Sequence, residues 1–435
     1  MKKKICLLGI IIMMTSSVSN SQSGWIDQNS GVLIKLNKVF FLNSQTGWVT
    51  GDLGKILKTT NSGNNWTLQI SNTGHDLRSV FFLNASTGYA AGGNYTPFSL
   101  CFKQILKTTN GGNNWLIVYD HVDNEVSLSD VNFLNENTGF ATGFGGNDSK
   151  AEGQILTTTN AGVNWVQTDY GSSFKNICFT DQNTGWIASS YYHDVLGEEA
   201  RIYKTSNGGV NWEMNYSLPQ AFSSSLFFID NNTGWLAGLS RGGGLNQDLI
   251  LKTSDGGSTW LDLNLNTLSF IQSIYFQNHD TGWYCGDKIY RSTNGGINWI
   301  NQLADGNVYN SITFVDNNTG WAVGTNGKIS STITGGITSV SALSENLPDE
   351  FSLSQNYPNP FNPRTVINYD LRVTGNAKLV LYDVLGNEVA ELVNEKQNAG
   401  SYSVEFDGSN YASGIYFYKL TVGDFKETKR MMLIK

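Results

Sequence analysis

The stretch Thr59–Trp66, "TTNSGNNW", returns about fifty residues later as Thr108–Trp115, "TTNGGNNW". It recurs as "TTNAGVNW" ending at Trp165, "TSNGGVNW" at Trp212, "TSDGGSTW" at Trp260 and "STNGGINW" at Trp299. A second motif interleaves with it: "LNSQTGW" (Trp48), "LNASTGY" (Tyr89), "LNENTGF" (Phe140), "TDQNTGW" (Trp186), "IDNNTGW" (Trp235), "QNHDTGW" (Trp283) and "VDNNTGW" (Trp321). Seven units spaced by about 40–50 residues match the length of a four-stranded propeller blade.

One unit reads strand by strand. "KVFFL" is a short apolar run, "NSQTG" a turn in which Gly47 is expected to take positive φ, and "WVTG", "KILKT" and "WTLQI" are three further strands. The chain is therefore expected to be all-β, a seven-bladed propeller with the first strand of each blade innermost. Composition agrees: charged residues are 15%, aromatics 12%, and glycine is abundant at 47, which suits turns and pleated strands better than helices.

Within the octamer, the third-position residues Asn61, Asn110, Asn160, Asn207, Asp255 and Asn294 are placed to accept hydrogen bonds from their own turn. The fifth-position glycines Gly63, Gly112, Gly162, Gly209, Gly257 and Gly296 supply a backbone conformation costly for other residues. The closing Trp66, Trp115, Trp165, Trp212, Trp260 and Trp299 pack over the turn or between blades. A residue repeated at every period belongs to the scaffold, so no catalytic residue is assigned. The "NNT" triplets belong to the second motif's turns rather than to glycosylation.

The octamer resembles the Asp-box, or bacterial neuraminidase repeat, with six good copies over roughly residues 24–339. Proteins with that repeat include sialidases, some glycan hydrolases, sortilin-like receptors and photosystem assembly factors, and the "TGW"-plus-box layout is similar to the last of these. The resemblance implies that the box is a structural hairpin distant from any active site. Sialidases use an arginine triad, a Tyr/Glu nucleophile pair and an Asp acid. The propeller here has Arg78, Arg201, Arg241 and Arg291 only, and the N-terminal arginine motif is absent.

The seventh unit breaks the pattern: Thr334 stands where the box takes Asn or Asp, and Ser339 where it takes Trp. At the other end of the chain, "SGWIDQNSG" (Ser23–Gly31) reads as a lone fourth strand with Trp25 in the box position. The N-terminal strand is therefore expected to complete the last blade and leave no free edge at the seam.

The outer segments carry targeting information. "MKKKICLLGIIIMM" is three lysines before an apolar run of about ten residues, an export signal over residues 1–21. The propeller is assigned to 22–340, a polar linker to 341–348, and a β-sandwich to 349–435. That last segment resembles the type A sorting domain of type IX secretion, on "NYPNPFNPRTVINYDL", "LYDVLGNEV", "AGSYSVEFDGS", "ASGIYFYKL" and "KRMMLIK". The resemblance implies recognition by the type IX machinery and a secreted or surface-attached product.

The net charge of −8 argues against nucleic acid or an anionic membrane as partner. No second apolar run is long enough to span a bilayer. Cys101, Cys178 and Cys285 are unclustered and read as core residues, and the four histidines are scattered, so no metal or cofactor is expected.

The function expected is non-catalytic binding of an extracellular glycan or protein. The alternative is a glycan hydrolase drawing on Asp148, Asp194, Glu198 and Glu199. Turns after strands one and three of each blade are the regular motifs. The variable connections after strand two are long in units two to five: "GGNYTPFSLCF", "GFGGNDSKAEG", "SSYYHDVLGEEA" and "GLSRGGGLNQD". They are expected to raise a lip on one face. The binding candidates are Tyr191, Tyr192, His193 and Asp194, with Tyr95, Phe98, Phe144 and Arg241 as neighbours.

Overall fold

Seven four-stranded antiparallel sheets form the propeller in the computed structural model, which describes residues 24–94, 100–124, 126–147, 150–193, 197–241, 246–263, 265, 267–336, 341–344 and 350–434. The proposed export signal, residues 345–348 of the proposed linker, Asp148, Asp194, Tyr95 and Phe98 lie outside the described residues. Blades 1 to 6 run over 36–69, 77–124, 126–170, 173–219, 221–262 and 273–303. Each takes its strands in chain order. Blade 7 combines Tyr309–Phe314, Gly320–Gly324 and Ile329–Gly336 with the N-terminal strand Gly24–Gln28 as its outermost member. First strands of neighbouring blades touch all around the ring, and that of blade 7 touches that of blade 1. They therefore line the axis.

Both motifs have a physical reason. In the octamer, the first-position hydroxyl accepts from the fifth-position N–H (Gly63 N–H to Thr59 Oγ1, 2.8 Å), and the third-position oxygen accepts from the seventh-position N–H (Asn65 N–H to Asn61 Oδ1, 3.0 Å). The same pair recurs around Asn110, Asn160, Asn207, Asp255 and Asn294. Gly63 has φ +87° and Gly112 +93°. In the "TG" motif, the Asx side chain at its head accepts two turn N–H groups, as Asn43 does from Gln45 and Thr46.

The glycine of "TG" departs from expectation. Gly47 does not adopt positive φ; it opens a strand, and a Cβ there would stand 2.6 Å from the Phe41 ring. Gly88, Gly139, Gly185, Gly234, Gly282 and Gly320 lie equally close beneath the phenylalanine that ends their own blade's first strand. The glycine is required by ring contact, not by turn conformation.

Those phenylalanines are the hub of each junction. The "TGW" ring of one blade stacks on the phenylalanine of the next: Trp48 on Phe82 at 3.5 Å, Trp235 on Phe276 at 3.6 Å, Trp321 on Phe41 at 3.4 Å. The octamer tryptophan meets the same phenylalanine edge-on, Trp115 on Phe82 at 5.8 Å. In blade 7 that place is filled by Trp25, 5.8 Å from Phe314. The edge-to-face contact is a favoured aromatic geometry.

The C-terminal sandwich pairs two four-stranded sheets over a core that includes Ile367, Tyr369, Leu379, Leu381, Tyr418, Leu420 and Met431. The first strand of one sheet is Ser341–Ser344, beside Gly400–Asp407. Part of the segment read as linker is thus a sandwich strand, because the edge of Gly400–Asp407 offers it unpaired backbone groups. The "NYPNPFNP" run is anchored inward at two residues, while Tyr357 to Pro360 are exposed. Phe361 is buried, and buried Asn356 donates to Thr365 Oγ1 at 2.8 Å while its N–H donates to the Tyr418 hydroxyl at 2.7 Å.

Candidate functional site

The connections that read as loops in blades 3 and 4 are in large part continued strands. In blade 3, Gly139–Asn147 pairs with Lys150–Thr158 along its whole length, and in blade 4, Gly185–His193 pairs with Gly197–Thr205. Alternating small and aromatic residues let these hairpins extend the ladder beyond the ring, so the lip is sheet rather than loose loop.

The lip places the candidates as follows. Phe144 lies near the end of the second strand of blade 3. Its ring centroid is 5.0 Å from the Arg78 guanidinium of blade 2 and 5.0 Å from Lys175 Nζ of blade 4. Arg78 is held by Nη1 donating to Ser127 Oγ at 2.8 Å and to Gly93 O at 2.5 Å, with Asp76 only at 3.9 Å. Tyr191 covers Arg201 at 3.7 Å, and Arg201 pairs with Glu199 at 2.6 Å. Arg241 pairs with Glu198 at 3.0 Å and stands 5.9 Å from Phe222. Tyr192 and His193 lie on the hairpin end, opposite Glu198 and Gly197.

Burial lowers the Lys175 pKa, the Arg78 charge lowers it further, and Glu198 opposes. Burial likewise lowers that of Arg78 against the pull of Asp76 and Asp52. Burial thus disfavours both charges, and an anion beside them would favour both. Glu198 and Glu199, adjacent on one strand and so directed to opposite faces, are each engaged by an arginine. That is the arrangement of an ion-pair network rather than of two acids facing one bond.

Arg78 and Lys175 were not among the sequence candidates, although the signal existed. Aligning the first strands puts Asn37, Arg78, Ser129, Lys175, Ser224, Gln272 and Asn310 at one position, and only two of them are charged. Around the axis just below, side chains cap the neighbouring blade's backbone: Ser311 Oγ accepts from Val39 N–H at 3.3 Å and buried Asp130 from Ile177 N–H at 3.1 Å.

Among the described residues, no group of three His, Cys, Asp or Glu is arranged to hold a metal, and no helix is long and apolar enough to cross a membrane.

Residues 355–435 match the family model described as the secretion system C-terminal sorting domain. No curated protein matches the chain. Among solved structures, one described as YCF48 bound to D1 peptide is 17% identical with a TM-score of 0.55, the match covering 72% of this chain and 97% of that one. YCF48 from Cyanidioschyzon merolae is 18% identical with a TM-score of 0.54, covering 71% and 98%. The GH74 enzyme of Niastella koreensis is 13% identical with a TM-score of 0.52, covering 93% of this chain and 67% of that one. At such identities the likeness is one of fold. The chain is a seven-bladed propeller joined to a C-terminal sorting domain that directs export through type IX secretion to the cell surface or beyond.

Proposed function

We propose that the exported propeller is a non-catalytic binding protein whose ligand sits on the face raised by the hairpins of blades 2 to 5. The octamers are Asp-box turns with a scaffolding role, and residues 1–21 are the signal that starts export. The observation that carries the reading is the Arg78–Phe144–Lys175 cluster. It sets two partly buried cations against one ring, beside Tyr191 and Arg241. Such a mouth suits an extracellular glycan or protein that presents an anionic group beside an apolar or stacking surface. The structural neighbour bound to a peptide gives a precedent for ligand binding on this fold, and the hydrolase neighbour shows that the fold also carries chemistry elsewhere.

A glycan and protein array probed with the mature protein tests it. Arg78→Ala with Lys175→Ala should erase the signals given by the native protein, with a fall in melting temperature no larger than the loss of the two Arg78 hydrogen bonds accounts for, and Tyr191→Ala with Tyr192→Ala should weaken them. Signals that survive both pairs of substitutions contradict the placement.

A further inference from the structure

The junctions between blades repeat one device, and one junction lacks it. In six of the seven, the "TGW" aromatic donates to the fourth-position carbonyl of the next blade's octamer. The bonds are Trp48 to Gly111 (3.2 Å), Tyr89 to Ala161 (3.0 Å), Trp186 to Gly256 (3.1 Å), Trp235 to Gly295 (3.0 Å), Trp283 to Gly335 (2.9 Å) and Trp321 to Ser62 (3.1 Å). A cation from the third strand lies over the same ring in five: Lys58, Lys107, Lys204, Lys252 and Arg291. At the seam between blades 7 and 1, Gln28 takes the cation's place, donating to Ser62 O at 2.9 Å and accepting from Trp66 Nε1 at 3.1 Å.

Between blades 3 and 4 both parts are replaced. Phe140 has no donor, and Thr157 stands where the cation would be. The Phe140–Phe179 rings are 5.2 Å apart, against 3.4–3.7 Å at the other six junctions. An open groove of about 460 Å³ lies at this junction, within the roughly 300–1,000 Å³ of small-ligand sites. Its lining includes Thr157, Thr168, Tyr170, Asn211 and Trp212, with Val210 on the rim. It contains no Lys, Arg, Asp, Glu or His. Trp212 is 9% exposed and its indole N–H has no partner among the described residues. Trp115, Trp165 and Trp299 share that orphan N–H, but each sits at a junction closed by the donor and the cation.

We infer that this groove binds a neutral saccharide. Hydroxyl and amide side chains around an indole and a phenol offer donors, acceptors and a stacking surface with no charge to recognise. A sugar hydroxyl meeting Trp212 Nε1 would satisfy a buried donor now left without an acceptor. The free outer strand edge, which a peptide would use, is common to the blades; the groove is particular to this junction. The site is separate from the charged mouth and does not rest on it.

The test is titration of the mature protein with cellohexaose, xylohexaose, mannohexaose, laminarihexaose and maltohexaose, followed by tryptophan fluorescence and calorimetry. At least one should bind, with affinity flat across the titration range of carboxylates and histidines. Restoring the junction with Phe140→Trp and Thr157→Lys should raise the melting temperature and weaken that binding at least tenfold. Val210→Arg, at a position 77% exposed on the rim, should also weaken it, with stability unchanged. The inference is overturned if none of the five sugars binds, if binding survives both variants, or if Arg78→Ala with Lys175→Ala abolishes it instead.

Discussion

Two junctions of the ring make an instructive pair: the seam, where the chain's N-terminal strand meets blade 7 and blade 7 meets blade 1, and the uninterrupted junction between blades 3 and 4. The seam has no covalent continuity through its outer strand, yet it is densely tied. Trp25 fills the octamer position, Gln28 bridges to Ser62 and Trp66, and Lys328 holds Asp27 at 2.6 Å and Asp305 at 2.8 Å. The junction between blades 3 and 4 has continuous chain but lacks both the donor and the cation. Ring closure has therefore been reinforced where an edge would otherwise open.

The largest expected effect lies at the seam. Trp25→Ala removes a buried indole and the edge contact with Phe314, and should cost about 3–5 kcal/mol, read as a fall in denaturation midpoint. If the protein with Trp25→Ala melts as the native one does, the seam is not held as described. Next comes the shared hydrogen bond. Trp235→Phe keeps the stack on Phe276 but leaves the Gly295 carbonyl without its donor, which should cost about 1–3 kcal/mol. An equal loss from Phe140→Leu, where no such bond exists, would show that packing alone matters.

A smaller effect concerns the fourth octamer position. Ala161 sits at φ +60° and Ser62 at +63°, where the other blades use Gly111, Gly208, Gly256, Gly295 and Gly335. Ala161→Gly should stabilise by up to about 1 kcal/mol, since the left-handed region costs an L-residue roughly that much. No gain would mean that the Tyr89 and Lys107 bonds to its carbonyl already compensate.

The smallest effect is pH-dependent. Asp255 is the single acid among the six good octamers, and hydrogen bonds from the Thr259 hydroxyl and backbone N–H hold its pKa at about 2. Because the folded value lies below the ordinary 3.8 of an aspartate, its contribution is fully present above pH 4 and is lost as pH falls towards 2. Asp255→Asn should flatten the melting temperature over that window and lower it slightly near neutrality, where the carboxylate's contribution is otherwise complete.

Much of this was legible beforehand, and the exceptions share a cause. The octamers and the "TG" turns announced blades because each is a local hydrogen-bonding pattern, closed within eight residues. Six sandwich strands read directly from alternation, from "RTVINYDL" to the terminal "KRMMLIK". Gly47 was legible as a needed glycine but not for its reason, which lies in the Phe41 ring across the hairpin. Arg78 and Lys175 were hidden because each is one side chain within an otherwise ordinary strand, and their meeting at Phe144 joins three blades. Phe140 and Thr157 already stand out when the units are aligned. What alignment lacks is the knowledge that both positions reach the next blade's turn. Local chemistry is written in the order of residues; chemistry across a junction is written only in register between units.

Hydrogen exchange resolved by peptide, on the mature protein and on its Phe140→Trp, Thr157→Lys variant, tests the account most directly. Segments 155–170 and 205–212 should exchange faster than the matching segments of the other six junctions, the seam included. In the variant they should slow to the common rate. Uniform exchange around the ring, or a seam that opens before the junction of blades 3 and 4, would contradict it.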